Sequence, residues 1–163
     1  MHCERSVWLL WGGTALWAAP CAALSEPSDT LLPAVSASSV HSSDYPAPYA
    51  FDGNPQTRWA SQGGGRPEWV QIDFGRAVAV DQVIIHWERA YAVEYELQLS
   101  DDAISWRTAV RKTDGQGGRE VLAGLAAQGR YVRLVGSKTG PFGIFSIWDI
   151  EFPDAQPQAV LAD

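Results

Sequence analysis

Only two lysines occur in 163 residues, Lys112 and Lys138, and the ten arginines are scattered rather than clustered. With a formal charge of −7 and a pI near 4.8, the chain lacks the basic face that nucleic acid or an anionic membrane surface requires. Cysteine is equally scarce. Cys3 and Cys21 both lie ahead of residue 22, so a chain cleaved after them carries neither thiol nor disulfide. Signatures of catalysis are missing too. There is no G-x-S-x-G and no S-x-x-K, and Lys138-Thr139-Gly140 reads as a turn. Past the first residues only His41 and His86 remain as imidazoles. No carboxylate pair is specifically placed for glycoside hydrolysis, and phosphate-binding and dinucleotide-binding loops are absent. These absences exclude the common hydrolytic and nucleotide-dependent chemistries, and the expectation is a protein that is not an enzyme.

What the chain does have is apolar residues at 46 %, fifteen glycines, ten prolines and eight tryptophans. That composition supports one packed domain rich in turns. One apolar run, residues 7–19, has the thirteen-residue length of a signal-peptide core and is short for a membrane span. Small residues follow at Ala22, Ala23 and Ser25, which places cleavage after Ala23 or Ser25. Acylation at Cys21 fits less well, because Pro20 precedes it. The expected organisation is therefore a signal peptide over 1–25, a polar spacer over 26–30, a domain over 31–153 and a flexible tail over 154–163. The cleaved protein would be periplasmic or extracellular, with no membrane insertion.

Between residues 31 and 152 the apolar residues alternate with period two. Val70, Ile72 and Phe74 share one face, as do Val83, Ile85 and Trp87, and Val93, Tyr95, Leu97 and Leu99. Further strands are expected at 106–111, 119–123, 131–135 and 147–152, separated by Asp101-Asp102 and by glycine-rich breaks at 63–65, 115–118 and 140–143. About eight short strands without an amphipathic helix predict an all-β fold, a single antiparallel β-sandwich of jelly-roll type. The tryptophans at 59, 69, 87, 106 and 148 are expected in its core.

Five segments follow one another in a recognisable order: AFDGNPQTRWAS (50–61), PEWVQIDFG (67–75), YELQLSDDAISW (95–106), RYVRL (130–134) and SIWDIEF (146–152). Together they resemble the discoidin, or factor V/VIII C-type, domain. The stretch IIHWERAYAVEYELQLS (84–100) is most similar to the bacterial branch grouped as carbohydrate-binding module family 32. Two positions depart from the pattern: Asp149 stands where the family usually has Glu, and Ala103 where it has Gly. The resemblance implies a galactose-binding-domain-like sandwich. It also implies a poly- or oligosaccharide as partner, with a polysaccharide-degrading enzyme as companion.

Asp52, Asn54 and Thr57 place three oxygen-bearing side chains on one loop, with Gly53 and Pro55 for the turn. Loop chemistry alone fits either an Asx turn or an ion site. The resemblance implies structural calcium held by Asp52, Asn54 and Thr57, a carbonyl near Tyr49, the carbonyl of Trp148 and the carboxylate of Asp149. For the sugar, an aromatic face beside convergent polar groups is needed. The candidates are Asp44, Glu68, Glu88, Arg89, Tyr91 and Phe142, with Glu88 and Tyr91 matching the family 32 "W-E-x-A-Y" pattern. Each carboxylate also reads as an ordinary solvated charge, and Arg58, Arg89 and Arg133 also read as ion-pair partners. A second functional class stays open, an adhesion or protein-interaction module in which Phe142, Ile144 and Phe145 form a protruding apolar spike.

Overall fold

A computed structural model of the chain describes residues 33–155. The expected signal peptide and spacer, and the tail from residue 156 onward, lie outside the described residues. Seven strands account for most of the rest. They are β1 (Ala34–Ala37), β2 (Trp59–Ala60), β3 (Glu68–Trp87), β4 (Ala92–Ser100), β5 (Arg107–Lys112), β6 (Arg119–Thr139) and β7 (Ser146–Glu151). A single 3₁₀ turn covers Ala47–Ala50. All pairings are antiparallel, in the order β2-β7-β3-β6-β4-β5, with β1 added beside β3.

Two expected strands, 70–74 and 83–87, are halves of the one strand β3, and 119–123 and 131–135 are both parts of β6. The reason is visible in the parity of the buried residues. Val70, Ile72, Val78 and Val80 face the core from even positions, whereas Val83, Ile85 and Trp87 face it from odd ones. A strand can change parity without leaving the sheet only by taking up an extra residue. The β3–β6 register shifts between Val80 and Gln82, and earlier between Asp73 and Val78. Gly75, at φ +70°, serves the corner between Asp73 and Val78. The first half of β3 pairs with residues 131–136 of β6 and the second half with 119–123, so the sheet bends and faces itself across the core.

Trp59, Val70, Val83, Ile85, Tyr95, Leu97, Leu99 and Ile147 fill that core. Three of the five tryptophans expected there are only half-buried: Trp69, Trp106 and Trp148. Trp69 stands at the outward parity of β3, between inward Glu68 and Val70. Trp106 precedes β5 and lies under Arg133, whose Cζ is 3.8 Å from its ring centre. Phe74 is half-buried as well, edge-on to Phe152 at 5.3 Å. It borders a cleft of about 370 Å³ where β7 ends; Pro33 and Ala155 both line the same cleft.

Candidate functional site

At the other end of β7 the chain forms a rim around Ser146. This serine is fully buried and ties two other segments to β7. Its N–H donates to Ala90 O at 2.7 Å, and its carbonyl accepts from the Glu88 N–H at 3.0 Å. Its hydroxyl donates to Trp59 O at 3.1 Å and accepts from Arg58 Nη1 at 2.7 Å. Glu88 and Arg58 are thereby fixed on either side of one buried anchor, which is how a site is held in shape before any ligand arrives.

Arg58 makes no ion pair among the described residues. Its Cζ lies 4.0 Å from the ring centre of Tyr45 and 5.9 Å from that of Trp148, so the guanidinium is held by π-faces and by Ser146. Glu88 is half-buried and uses Oε2 to cap its own turn, accepting the Ala90 N–H at 3.0 Å. Its other oxygen has no partner among the described residues. Arg89 stands over Phe142 at 5.2 Å, and Phe142 is exposed. Asp44, beside Tyr45, is exposed with its carboxylate free among the described residues.

Two further candidates are placed differently. Tyr91 is half-buried and packs against glycines: a Cβ added at Gly117 would come within 2.5 Å of its ring, and one at Gly140 within 3.2 Å. The Gly117 loop is pinned by Glu120, which accepts the N–H groups of Gln116 and Gly117 at 3.1 and 3.0 Å and the hydroxyl of Tyr95. Glu68 is 2 % exposed. Its Oε2 accepts the hydroxyls of Ser38 and Ser39, and the Arg66 guanidinium lies 3.6 Å from Oε1. Glu68 thus anchors the segment after β1. The apolar spike reduces to Phe142, because Phe145 is buried at 3 % exposure and Ile144 half-buried.

The loop after the 3₁₀ turn is built on its own polar side chains. Asp52 Oδ1 accepts from Asn54 N at 3.0 Å, and Asp52 Oδ2 from the Thr57 hydroxyl at 2.7 Å. Asn54 Oδ1 accepts from Gln56 N at 3.0 Å. Gly53, at φ +66°, turns its N–H toward Asp149 Oδ1 at 3.3 Å, bringing the last strand's carboxylate to the loop. Burial pushes the Asp149 carboxyl above its ordinary range, the Gly53 N–H opposes this, and the charge of Glu151 adds to it. A half-buried carboxylate with a neighbouring carboxylate and one long backbone contact is the chemistry a hard cation would relieve. No cluster of three or more His, Cys, Asp or Glu occurs among the described residues, so an ion here would draw on amide, hydroxyl and carbonyl oxygens as well. The donor set fits calcium.

Trp148 also borders a cavity of about 490 Å³, together with Gly53, Pro55, His86, Asp149 and Glu151. His86 Nε2 and Glu151 Oε1 are 2.5 Å apart on its wall. The role of Arg58 was open to sequence reasoning because nothing local says whether an arginine will find a carboxylate.

The profile of the F5/8 type C domain family matches residues 34–150. No match was found among curated proteins. Among solved structures, the chain is similar to chitosan-binding module 1 of a chitosanase/glucanase from Paenibacillus sp. IK-5. Identity is 35 % over 75 % of this chain and 95 % of that one, with a TM-score of 0.70. Module 2 of the same enzyme, solved with chitotriose, is 32 % identical over 75 % and 96 %, also at 0.70. The family 32 carbohydrate-binding module of C. perfringens NanJ, solved with galactose, shares the fold at 18 % identity over 72 % and 90 %, with a TM-score of 0.64.

Proposed function

The chain belongs to the F5/8 type C, or discoidin, family, and from that membership we propose that it is a non-catalytic carbohydrate-binding module. One observation carries the reading. At the rim, Glu88 keeps a carboxylate oxygen without a partner among the described residues, Arg58, which no carboxylate there neutralises, is held through the same Ser146, and the rings of Tyr45 and Phe142 lie against Arg58 and Arg89. Free acceptors, a free donor and flat apolar faces are what a pyranose needs for its hydroxyls and its C–H patch. Asp44, Arg58, Glu88, Arg89 and Phe142 form this proposed site. Tyr91 packs against Gly117 and Gly140, and Glu68 holds the segment after β1.

The acidic balance of the chain favours an amino sugar, and the similarity to chitosan-binding modules supports glucosamine oligomers as the first ligands to try. Companionship with a polysaccharide-degrading enzyme, and export to the periplasm or beyond, belong to the same reading and are supported by the origin of those modules and by the apolar run at 7–19. Calcium would be held by Asp52, Asn54, Thr57 and Asp149 with the carbonyls near Tyr49 and at Trp148. When bound it supplies a fixed charge that ties the loop to β7.

Calorimetric titration with glucosamine oligomers, galactosides and β-glucans tests the proposal. Losing a hydrogen bond to a charged group costs about 1.5–3 kcal/mol, and each ~1.4 kcal/mol is a decade in affinity. Glu88→Ala should therefore weaken binding about tenfold or more, and Arg58→Ala likewise. Unchanged affinity in both would remove the site from this rim. No binding of any sugar would end the carbohydrate reading.

A further inference from the structure

Glu120 faces inward from β6. It pairs with Ile85 across the sheet, shares the parity of buried Leu122 and is itself half-buried. A carboxylate at such a position costs desolvation that an apolar residue would not, unless hydrogen bonds compensate. Three do. Oε2 accepts the hydroxyl of Tyr95, a residue 1 % exposed, and Oε1 accepts the N–H groups of Gln116 and Gly117 at 3.1 and 3.0 Å. Burial, and then the bond to Glu120, push the Tyr95 phenol well above its ordinary pKa, so it stays a donor. Both carboxylate oxygens are thus committed, and two of the three bonds go to the turn between β5 and β6.

What that turn touches is the chain from Trp87 to Val93. Gly118 O accepts the Trp87 N–H at 2.8 Å, and the Gly115 N–H donates to Val93 O at 2.9 Å. The approach leaves no room for side chains. A Cβ at Gly115 would come within 2.3 Å of Ala92 O, and one at Gly117 within 2.5 Å of the Tyr91 ring. Gly117 and Gly118 also hold φ at +73° and +66°, where other residues are strained. Between these two fixed ends lies the 88–90 turn that presents Glu88 and Arg89.

We propose that Glu120 is a positioning residue of the binding rim. It meets no ligand. By fixing the 115–118 turn it fixes both ends of the segment carrying Glu88, and with them the direction of the open Glu88 oxygen. The inference rests on the carbohydrate reading given above and adds to it the residue that sets the geometry of one contact.

The test is a double-mutant cycle on affinity, run where every variant is folded, with whichever sugar the panel selects. Glu120→Ala should weaken binding about tenfold, and in a Glu88→Ala background by less than about twofold, because the contact it positions is already gone. Glu120→Gln keeps an acceptor for the two N–H groups and should bind within about twofold of wild type. Amide hydrogen exchange is the second readout. At Trp87, Glu88 and Ala90 it should quicken about tenfold more in Glu120→Ala than at Val70 and Ile72. If Glu120→Ala does not fold, Tyr95→Phe, which removes one hydrogen bond and keeps the ring, carries the same cycle with an expected loss of about threefold. Wild-type affinity in a less stable Glu120→Ala protein, or an equal loss with and without Glu88, overturns the inference and leaves the carbohydrate reading standing. Weaker binding without faster exchange at residues 87–90 overturns it as well, since Glu120 would then act on the ligand directly. A wild type that binds no sugar takes down both.

Discussion

Arg133 and Arg58 each lie across an aromatic ring, on two different regions of the same sandwich, and their surroundings differ in a way residue type does not announce. On the outer face that carries Arg133, the carboxylates Glu96 and Asp73 are each answered by an arginine. Arg133 covers Trp106 at 3.8 Å and donates to Gln98 Oε1 at 2.8 Å. Glu96 takes Arg111 at 2.6 Å, Thr108 at 2.8 Å and Gln98 at 2.7 Å, and these hydrogen bonds, with the Arg111 charge, hold its carboxyl below the ordinary range. Asp73 takes Arg130 through both oxygens at 2.8 Å. At the rim, Arg58 has two rings and a serine but no carboxylate, while Glu88 and Asp44 keep open oxygens. Where charges are mutually satisfied they serve the fold. Where they are held in place and left unanswered they are free for a ligand.

Three experiments probe that contrast beyond the binding tests. The largest expected effect is on the 52–57 loop that meets β7 at Asp149. Calcium at a hundredfold excess over its Kd should stabilise the protein by about 2.7 kcal/mol, since the unfolded chain lacks the site. Chelator should lower the unfolding temperature accordingly, and Asp52→Ala should remove that response. An unmoved transition would make the 52–57 loop an Asx turn and nothing more. Next comes the paired face. Truncating a core tryptophan costs about 3–5 kcal/mol, and Trp106, half-exposed under Arg133, should cost about 2 kcal/mol when replaced by Ala. Sugar affinity should not change. A Trp106→Ala protein of normal stability and weakened binding would invert the comparison.

The smallest effect concerns Asp73. The Arg130 hydrogen bond lowers its carboxyl pKa from the ordinary 3.8. A depressed folded value contributes stability that is present above the unfolded pKa and is lost as pH falls through the folded one. For a partly exposed pair that is about 0–1 kcal/mol. Acid unfolding followed below about pH 4 should be less steep in Asp73→Asn than in wild type. Identical slopes would show that the pair is fully screened.

Strand periodicity made the sandwich legible, because β4 and the first half of β3 carry their inward sets in plain alternation. The same rule places Trp69 outward, between inward Glu68 and Val70, although its motif position reads as core. The fusion of two expected strands into β3 is also encoded, in the change of parity between Val80 and Val83, but only once both are known to share a sheet. Glu68 illustrates what no local pattern contains. Its burial depends on Ser38 and Ser39, some thirty positions earlier in the chain, brought to it by the β1–β3 pairing. Arg58 and Ser146 are likewise joined across eighty-eight positions. Site residues that depend on such closures emerge only with the fold.

Strand β7 starts at the rim and ends at the cleft shared by Pro33 and Ala155. Six residues at about 3.3 Å each make that roughly 20 Å. The described domain therefore receives and releases its backbone at one corner, while the rim looks out from the far end of the strand. Polypeptide joined on either side would leave from that corner, and a ligand at the far end of the strand would approach the rim without meeting it.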